Sequence, residues 1–368
     1  MAHNIEKRDG RFSFAETTLQ ERAWHRLGDE KQLFNRPMYV KEALEACRAD
    51  YQVKLQPIVA LTDELVKAME NGEMIDASTL LDTLVPNTRA TMRTDLNKSL
   101  GIVSDKYGIV QNEDAFKFVD MFCSGKFADR ENTPLIETCG VLGRGERVFV
   151  TAKFKKQLVI DARRDDLVDM YVVFTTSHDG TGSVRCLVTP VRVVCNNTLN
   201  LAMADNIGRI SFRHSSNVMG RLDLLNQENA EFAAKALNVA EVYTNGLKEC
   251  FDHLRTIKVS EKDLDKILAE ISLADKAKKV FLETNNIFHE DIPTRGRNIF
   301  LGLKEGLDKA VGQDILESGN ALWAINGITS FYQNNATYKN DEVMFDNILD
   351  GQVYKKVNKA YDMLLQVA

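Results

Sequence analysis

The sequence predicts an α+β fold: a mixed or antiparallel sheet body with flanking helices, followed by an all-helical C-terminal part. Before residue 221, apolar and polar residues alternate in several segments, as in half-buried strands. After Arg221 the apolar residues recur at steps of three and four, the period of an amphipathic helix. This change of period predicts an N-terminal arm (1–35), a sheet domain (36–221) and a helical domain (222–368).

The composition is that of a globular protein, with 44 % apolar and 27 % charged residues. The N-terminus lacks the apolar run of a signal peptide, and no segment approaches the roughly 20 apolar residues of a membrane span. The 6 cysteines contain no CxxC pair, which favours reduced thiols. We therefore expect a cytoplasmic protein without a membrane partner.

The strands are clearest between residues 147 and 214. Arg147 to Lys155 alternates cleanly, and Val168 to Thr176 is apolar on both faces, which predicts a central strand. Asp179-Gly180 is a hairpin signal. In the returning strand, Pro190 predicts a bulge or an edge position because proline cannot donate to a β-ladder.

Several helices can also be assigned from the sequence. Met38 to Asp50 has an apolar side, and Asn112 is suited to cap a helix from Glu113 to Phe122. Ser260 begins a capping-box variant before a helix. The further predicted helices run from Gly302 to Val311, from Ala321 to Tyr332 and from Gln352 to Val367.

No catalytic or metal-binding pattern stands out. His178 and Asp179 fall in a predicted turn, where Asp-Gly already has a structural role. His178, Cys186, Cys195 and His214 share the sheet region, but their spacing matches no zinc pattern, and no phosphate-binding GxxxxGK[ST] loop is present. We therefore expect no metal and no cofactor, and a binding protein is favoured over an enzyme.

The remaining signal is charge. Between Arg144 and Arg221 there are 12 Lys or Arg and 7 Asp or Glu, in a chain of net charge −6. Alternation predicts an exposed sheet face on which cations bind phosphates and an aromatic ring stacks on a base. The predicted contact residues are Phe149, Lys153, Lys155, Arg209 and Arg213. A solvated sheet face without a ligand is the alternative.

Several short motifs along the chain are distinctive as a set. The most specific is the run PVRVVCNNTL, residues 190–199. The others are Trp24 with Leu27-Gly28, LGIVS at 100–104, YGIVQN at 107–112 with Phe116, GVLG at 140–143 through Arg147-Val148-Phe149, SHDG at 177–180, and LWA at 322–324 with Asn326 and Tyr332. Together these motifs resemble a family of phage- and plasmid-type proteins that share the domain of unknown function 932. The family's function is undefined, so the resemblance implies a phage or plasmid setting and no active-site residues.

Two functions remain open. In the first, the protein binds single-stranded nucleic acid, in strand annealing or recombination, because its sheet segment is basic with interleaved aromatic residues and its motifs resemble proteins of mobile elements. Tyr107 to Phe149 is also similar, at fold level only, to the core of single-strand annealing proteins. In the second, it is a phage protein that binds or inhibits a host protein, because its C-terminal part is acidic and helical. A nuclease is disfavoured, because it would need clustered carboxylates and the carboxylates of this chain are spaced as in a solvated loop. Three questions stay open: whether the protein assembles into a homo-oligomer, whether it binds DNA or RNA, and which protein is its partner.

Overall fold

The computed structural model describes residues 5–19, 29–123, 133–161, 166–192, 197–198, 209–217, 246, 248–310, 313–314, 316–339, 343–344, 347–348 and 351–367. Its described part is an α+β protein, as predicted, with sheets in the N-terminal half and mostly helices after them. The predicted boundary residue, Arg221, and the anchors of the N-terminal arm, Trp24 and Leu27, lie outside the described residues.

The body of the protein is a nine-stranded mixed sheet. Its strands are β3 Phe14–Thr17, β4 Leu33–Phe34, β8 Leu135–Leu142, β9 Arg147–Lys153, β10 Leu158–Asp161, β11 Asp166–Ser177, β12 Val184–Arg192, β13 Asn197–Thr198 and β14 Arg209–Phe212. The main path of the sheet is β13-β12-β11-β9-β8-β3-β4, while β10 pairs with β11 and β14 pairs with β12. Only the β3–β4 pair is parallel among these pairings.

One face of this sheet carries the main apolar core. The predicted inward set of β9, Val148, Val150, Ala152 and Phe154, is buried there, which confirms the alternation. Helix α1 (Val40–Ala46) packs on β3 and β8, and α4 (Asn112–Phe122) packs on β11. The same contiguous core includes buried residues of the C-terminal helices.

A smaller antiparallel sheet lies between α1 and α4 in the chain. It consists of β5 (Val53–Gln56), β6 (Thr88–Arg93) and β7 (Lys98–Ser104). Residues 57–87, which we call the helical insertion, leave this sheet after β5 and return at β6. The insertion holds two short helices, α2 (Asp63–Glu70) and α3 (Ala77–Asp82), which the sequence analysis did not predict.

The pairing of β11 and β12 bears out the strand predictions. Strand β11 lies between β9 and β12, as its two apolar faces predicted. Gly180 in the connecting turn has φ +82°, a conformation that glycine adopts without strain. On one side of β12, Pro190 pairs in register with Met170 of β11. On the other side, β14 pairs with residues 184–187 and β13 with residues 191–192, so Pro190 lies between the two paired segments. It therefore occupies an edge position.

The C-terminal part is helical. Ser260 caps the helix that begins at Glu261. As predicted, its side chain accepts a hydrogen bond from the backbone N–H of Asp263 at 3.1 Å. The helix that was predicted to start at Gly302 begins eight residues earlier, at Thr294, directly after Pro293. The elements are α5 Glu261–Ser272, α6 Asp275–Thr284, α7 Thr294–Lys309, α8 Ala321–Ser330, a π-helix Phe331–Asn335 and α9 Gln352–Leu365. Residues 248–256 form a helical segment before them.

Residues 5–17 contribute more structure than an arm. A short hairpin of β1 (Lys7–Arg8) and β2 (Arg11–Phe12) leads into β3, which pairs with β8 in the central sheet. Polar residues in this segment concealed the strands, because Glu16 and Thr17 are buried by tertiary contacts that no local pattern shows. Within the described residues, no helix is long and apolar enough to cross a membrane.

The cysteines give a test of this packing. Cys47 and Cys139 are fully buried with their Sγ atoms 3.2 Å apart. Burial raises the pKa of Cys139 well above its ordinary value and that of Cys186 to about 12. Because the thiolate is the reactive form, we expect the thiols of Cys139 and Cys186 to resist iodoacetamide at about pH 8 until the protein is unfolded. Peptide mass spectrometry would detect this, and labelling as fast as in denatured protein would contradict the packing.

Candidate functional site

The predicted nucleic-acid face of β9 is buried. Arg147, Phe149, Thr151 and Lys153 alternate with the core residues as expected, yet each is less than 9 % exposed. Phe149 is 5 % exposed and packs against Phe14 of β3, with ring centroids 6.5 Å apart. The N-terminal strand that the sequence did not reveal is therefore the reason that Phe149 does not present a surface ring for stacking.

Lys153 is likewise engaged inside the protein. Its Nζ lies 2.6 Å from a carboxylate oxygen of Asp169 on β11, and 5.8 Å from the ring centroid of Tyr171. The side chain of Lys153 is 8 % exposed and that of Asp169 is 6 % exposed. A buried charge requires such a partner, since an unpaired ion in the interior costs several kcal/mol. The predicted exposure of Lys153 is therefore wrong.

The two remaining cations with described side chains are exposed, but at opposite ends of the sheet. Lys155 follows the end of β9 and Arg213 follows the end of β14. The register aligns Thr151 with Arg209 through β11 and β12, and β9 and β14 run in opposite directions. Four residues each way separate Lys155 from Arg213 by about 26 Å along the strands. The side chain of Arg209 lies outside the described residues.

A polar network continues across this buried face. A bulge between Ile136 and Thr138 presents Glu137 and Thr138 to the same side of β8. Tyr171 donates from its hydroxyl to Glu137 at 3.1 Å, and the hydroxyls of Thr138 and Thr151 lie 2.6 Å apart. These contacts fix the strands to one another. They satisfy buried polar groups, which is what their burial requires.

The 177–182 turn, between β11 and β12, is built from its own side chains. Ser177 donates to the carboxylate of Asp179 at 3.1 Å, and that carboxylate also accepts from the backbone N–H of Thr181 at 3.0 Å. A Cβ on Gly101 would lie 2.6 Å from the backbone of Asp179, so only glycine lets β7 approach the turn this closely. Asp179 is thus used in the turn, as the Asp-Gly signal predicted.

His178 points into the protein and not toward solvent. It is fully buried, and its Nε2 lies 2.8 Å from Oδ1 of Asn112. The Asn112 amide nitrogen donates to the carbonyl of Ala49 at 2.8 Å, so its oxygen is the acceptor and His178 carries its proton on Nε2. Asn112 therefore joins α4 to the sheet and does not cap the helix as predicted. Nδ1 of His178 has no partner among the described residues.

The histidines of this region stay neutral. Burial, strengthened by the nearby His214 and Arg93, lowers the pKa of His178 to about 3. Burial also lowers the pKa of His214, which stacks on Tyr107 with ring centroids 4.9 Å apart. Asp179 is occupied within its turn, so among the residues that the structure describes His178 lacks a carboxylate partner of the kind that orients a catalytic base. In the described part of the chain, no three His, Cys, Asp or Glu side chains are grouped to hold a metal ion.

A buried polar cluster surrounds Arg93, at the end of β6. Its guanidinium is fully buried and lies 2.7 Å from Glu6, 2.7 Å from Asp95 and 3.9 Å from the ring centroid of Tyr51. It also donates to the carbonyl of Arg144 at 2.8 Å. Burial acts against its charge, but the hydrogen bond to Asp95 and the charge of Glu6 outweigh it and raise the pKa of Arg93. Arg93 ends a polar strand, and no local pattern in the sequence predicts that its side chain is buried among ionic partners.

Removing this guanidinium should destabilise the fold. Arg93→Ala would leave Glu6, which is 8 % exposed, without its cationic partner, and a broken buried ion pair costs about 3–5 kcal/mol. Urea unfolding followed by circular dichroism would measure the loss. As a control, Lys248→Ala removes an exposed pair with Asp252, whose side chains are 54 % and 49 % exposed, and should cost several times less. Equal losses of unfolding free energy in the two variants would show that the Arg93 cluster stabilises the fold no more than an exposed ion pair does.

The buried histidine predicts a dependence of stability on pH. An unfolded histidine has a pKa near 6.5, so below that pH the unfolded chain binds a proton that folded His178 refuses. The free energy of unfolding should therefore fall as the pH drops from about 6.5 toward 3. Between pH 7 and 5, His178→Gln should reduce this fall by at most about 2 kcal/mol, measured by urea unfolding at both pH values. An unchanged fall would contradict the buried neutral state.

Comparison with known proteins gives a family but no function. No curated protein and no solved structure matches the chain. The family model described as "Domain of unknown function (DUF932)" matches residues 99–350, which is more than half of the chain. The match begins one residue into β7, includes β8, β9 and the 177–182 turn, and continues through α8. This chain therefore belongs to the DUF932 family.

Proposed function

We propose that this protein binds single-stranded nucleic acid without catalysing a reaction, through a cationic surface at the end of the central sheet where β9 ends. The observation that carries this proposal is the exposure of Lys155 and Lys156 in the turn between β9 and β10. Phosphates attract such cations whatever the base sequence. Phe149 and Lys153, which are buried, have no contact role in the proposal.

The strand register supports a wider cationic patch at this end. Leu158 pairs with Val168 on β11, and Val168 pairs with Arg192 on β12. The backbone of Arg192 therefore reaches the sheet end that Lys155 and Lys156 occupy. The surrounding segment, from Arg144 to Arg221, has a net charge of +5, from 12 basic and 7 acidic residues. Arg213 lies at the opposite end and would contact only a strand that crosses the sheet.

The setting of this activity is also a proposal. The resemblance to phage- and plasmid-type proteins favours strand annealing or recombination of a mobile element, in the cytoplasm of the host cell. Assembly into a homo-oligomer would suit that role, because repeated copies extend a weak cationic patch along one strand.

A titration against labelled oligothymidylate, by fluorescence anisotropy at about 50 and 200 mM salt, tests the proposal. Each phosphate contact on a single strand contributes about −0.7 to the log-log salt slope. We expect Lys155→Ala with Lys156→Ala to flatten the slope by about 1.4 and to weaken all sequences alike.

The matched control is Lys276→Ala with Lys279→Ala, which removes two exposed lysines from α6. That variant should keep the wild-type slope. If the wild-type protein does not bind at about 50 mM salt, or if both double variants lose the same slope, the nucleic-acid proposal is wrong.

The second candidate function is recognition of a host or phage protein. A specific observation favours it: the helical insertion exposes apolar side chains, including Met69 at 58 % and Leu81 at 64 %. Monomeric soluble proteins rarely expose large apolar side chains together unless the patch binds something.

A further inference from the structure

The helical insertion has almost no core of its own. Of its residues 57–87, only Leu65 is buried. The described part of the chain exposes 13 large apolar side chains, and 6 of them belong to this short segment. They are Leu61 (65 %), Val66 (37 %), Met69 (58 %), Met74 (101 %), Leu81 (64 %) and Leu84 (39 %). Such a concentration differs from the singly scattered apolar residues of an ordinary surface.

The insertion is nevertheless an ordered element. At its base, Ala60 donates to the carbonyl of Thr83, and Val85 donates to the carbonyl of Ile58, both at 2.8 Å. Thr62 caps α2 by accepting from the backbone N–H of Leu65. Asp76 caps α3 in the same way. The apolar side chains are therefore presented on a built scaffold.

The exposed apolar residues of the insertion lie mainly in and beside its two helices. Val66 and Met69 are three residues apart on α2, so their side chains adjoin on one side of the helix. Leu81 lies in the last turn of α3, and Leu84 follows the helix at the base of the insertion, where it forms a β-bridge with Val59. Methionine is unbranched and polarizable, which lets Met69 and Met74 adapt to a partner's side chains.

The rim of this surface is acidic. Residues 57–87 hold 6 carboxylates and 1 lysine. All 6 carboxylates are exposed, and within the described chain none of them forms an ion pair with a basic side chain. The acidic residues are Asp63, Glu64, Glu70, Glu73, Asp76 and Asp82.

We propose that the helical insertion binds an amphipathic helix of a partner protein, one that carries Lys or Arg beside an apolar stripe. An apolar stripe of a helix suits an adaptable apolar surface, and its flanking cations would face the carboxylates. This inference specifies the second candidate function and does not depend on nucleic-acid binding. A second copy docked symmetrically would bring the acidic insertion against itself, so self-pairing is disfavoured.

The test uses the full chain and a synthetic peptide of about 18 residues that forms a leucine-lysine amphipathic helix, five turns long. Binding is followed by fluorescence anisotropy of the labelled peptide. A leucine-glutamate peptide with the same stripe and a scrambled leucine-lysine peptide of equal charge serve as comparisons. We expect each comparison peptide to bind at least about tenfold more weakly, since each lacks one of the two complementary features.

Paired variants locate the surface. Met69→Gln with Leu81→Gln should weaken the leucine-lysine peptide at least about tenfold, because both side chains are exposed contact residues. Leu282→Gln with Phe288→Gln removes two apolar side chains of similar exposure, 53 % and 64 %, from the C-terminal part and should leave binding unchanged. Circular dichroism and thermal unfolding confirm that each variant is folded.

Three results would overturn the inference: equal binding of the scrambled or glutamate peptide, no effect of the Met69/Leu81 variant, or loss of self-association in that variant by sedimentation, which would make a second copy the occupant. The Lys155/Lys156 double variant should bind the peptide normally, and the Met69/Leu81 variant should bind oligothymidylate normally. Failure of one proposal is thereby separable from failure of the other.

Discussion

The buried guanidinium of Arg93 holds together parts of the chain that are distant in sequence. It joins the small sheet to the N-terminal segment through Glu6, and to the turn between β8 and β9 through the carbonyl of Arg144. Tyr51 lies under the same guanidinium and donates to the carbonyl of Gly145 at 2.7 Å. A buried charged group tolerates little displacement, because the loss of a partner leaves the desolvation energy of that charge uncompensated. The relative placement of the two sheets follows from this cluster.

Nearly all described side chains of β8, β9 and β11 are buried, on both faces of the central sheet, and this constrains where the protein can recognise other molecules. Its core face packs on α1 and α4, and its other face holds paired charges such as Lys153 with Asp169. Neither face offers a ligand surface in the described structure. Recognition is left to the sheet ends and to the elements that protrude, which is why the two proposals concern the turn after β9 and the helical insertion.

The sequence predicted the parts of the fold that local pattern determines. The alternation of β9, the central position of β11, the Asp-Gly turn and the Ser260 cap were all correct, because each depends on neighbouring residues. Exposure could not be predicted in the same way. Phe149 and Lys153 have partners on other strands, Phe14 and Asp169, and alternation shows which side a residue faces but not what covers that side.

The helical insertion escaped prediction for a related reason. An amphipathic helix is recognised by the residues that it buries, and α2 buries only Leu65. The site residues with the strongest electrostatic role were missed as well, since Arg93 and Glu6 are 87 positions apart and only the folded chain brings them together. The local sequence around each of them is that of an ordinary polar strand.

The proline in β12 has a consequence for colloidal behaviour. The outer side of β12 is paired with β14 at residues 184–187 and with β13 at residues 191–192. Three residues lie between these paired segments, and the last of them, Pro190, has no N–H to offer. An incoming strand from another molecule would therefore find too few donors to extend the sheet. This arrangement protects a strongly apolar hairpin from edge-to-edge aggregation while leaving its register with β11 intact.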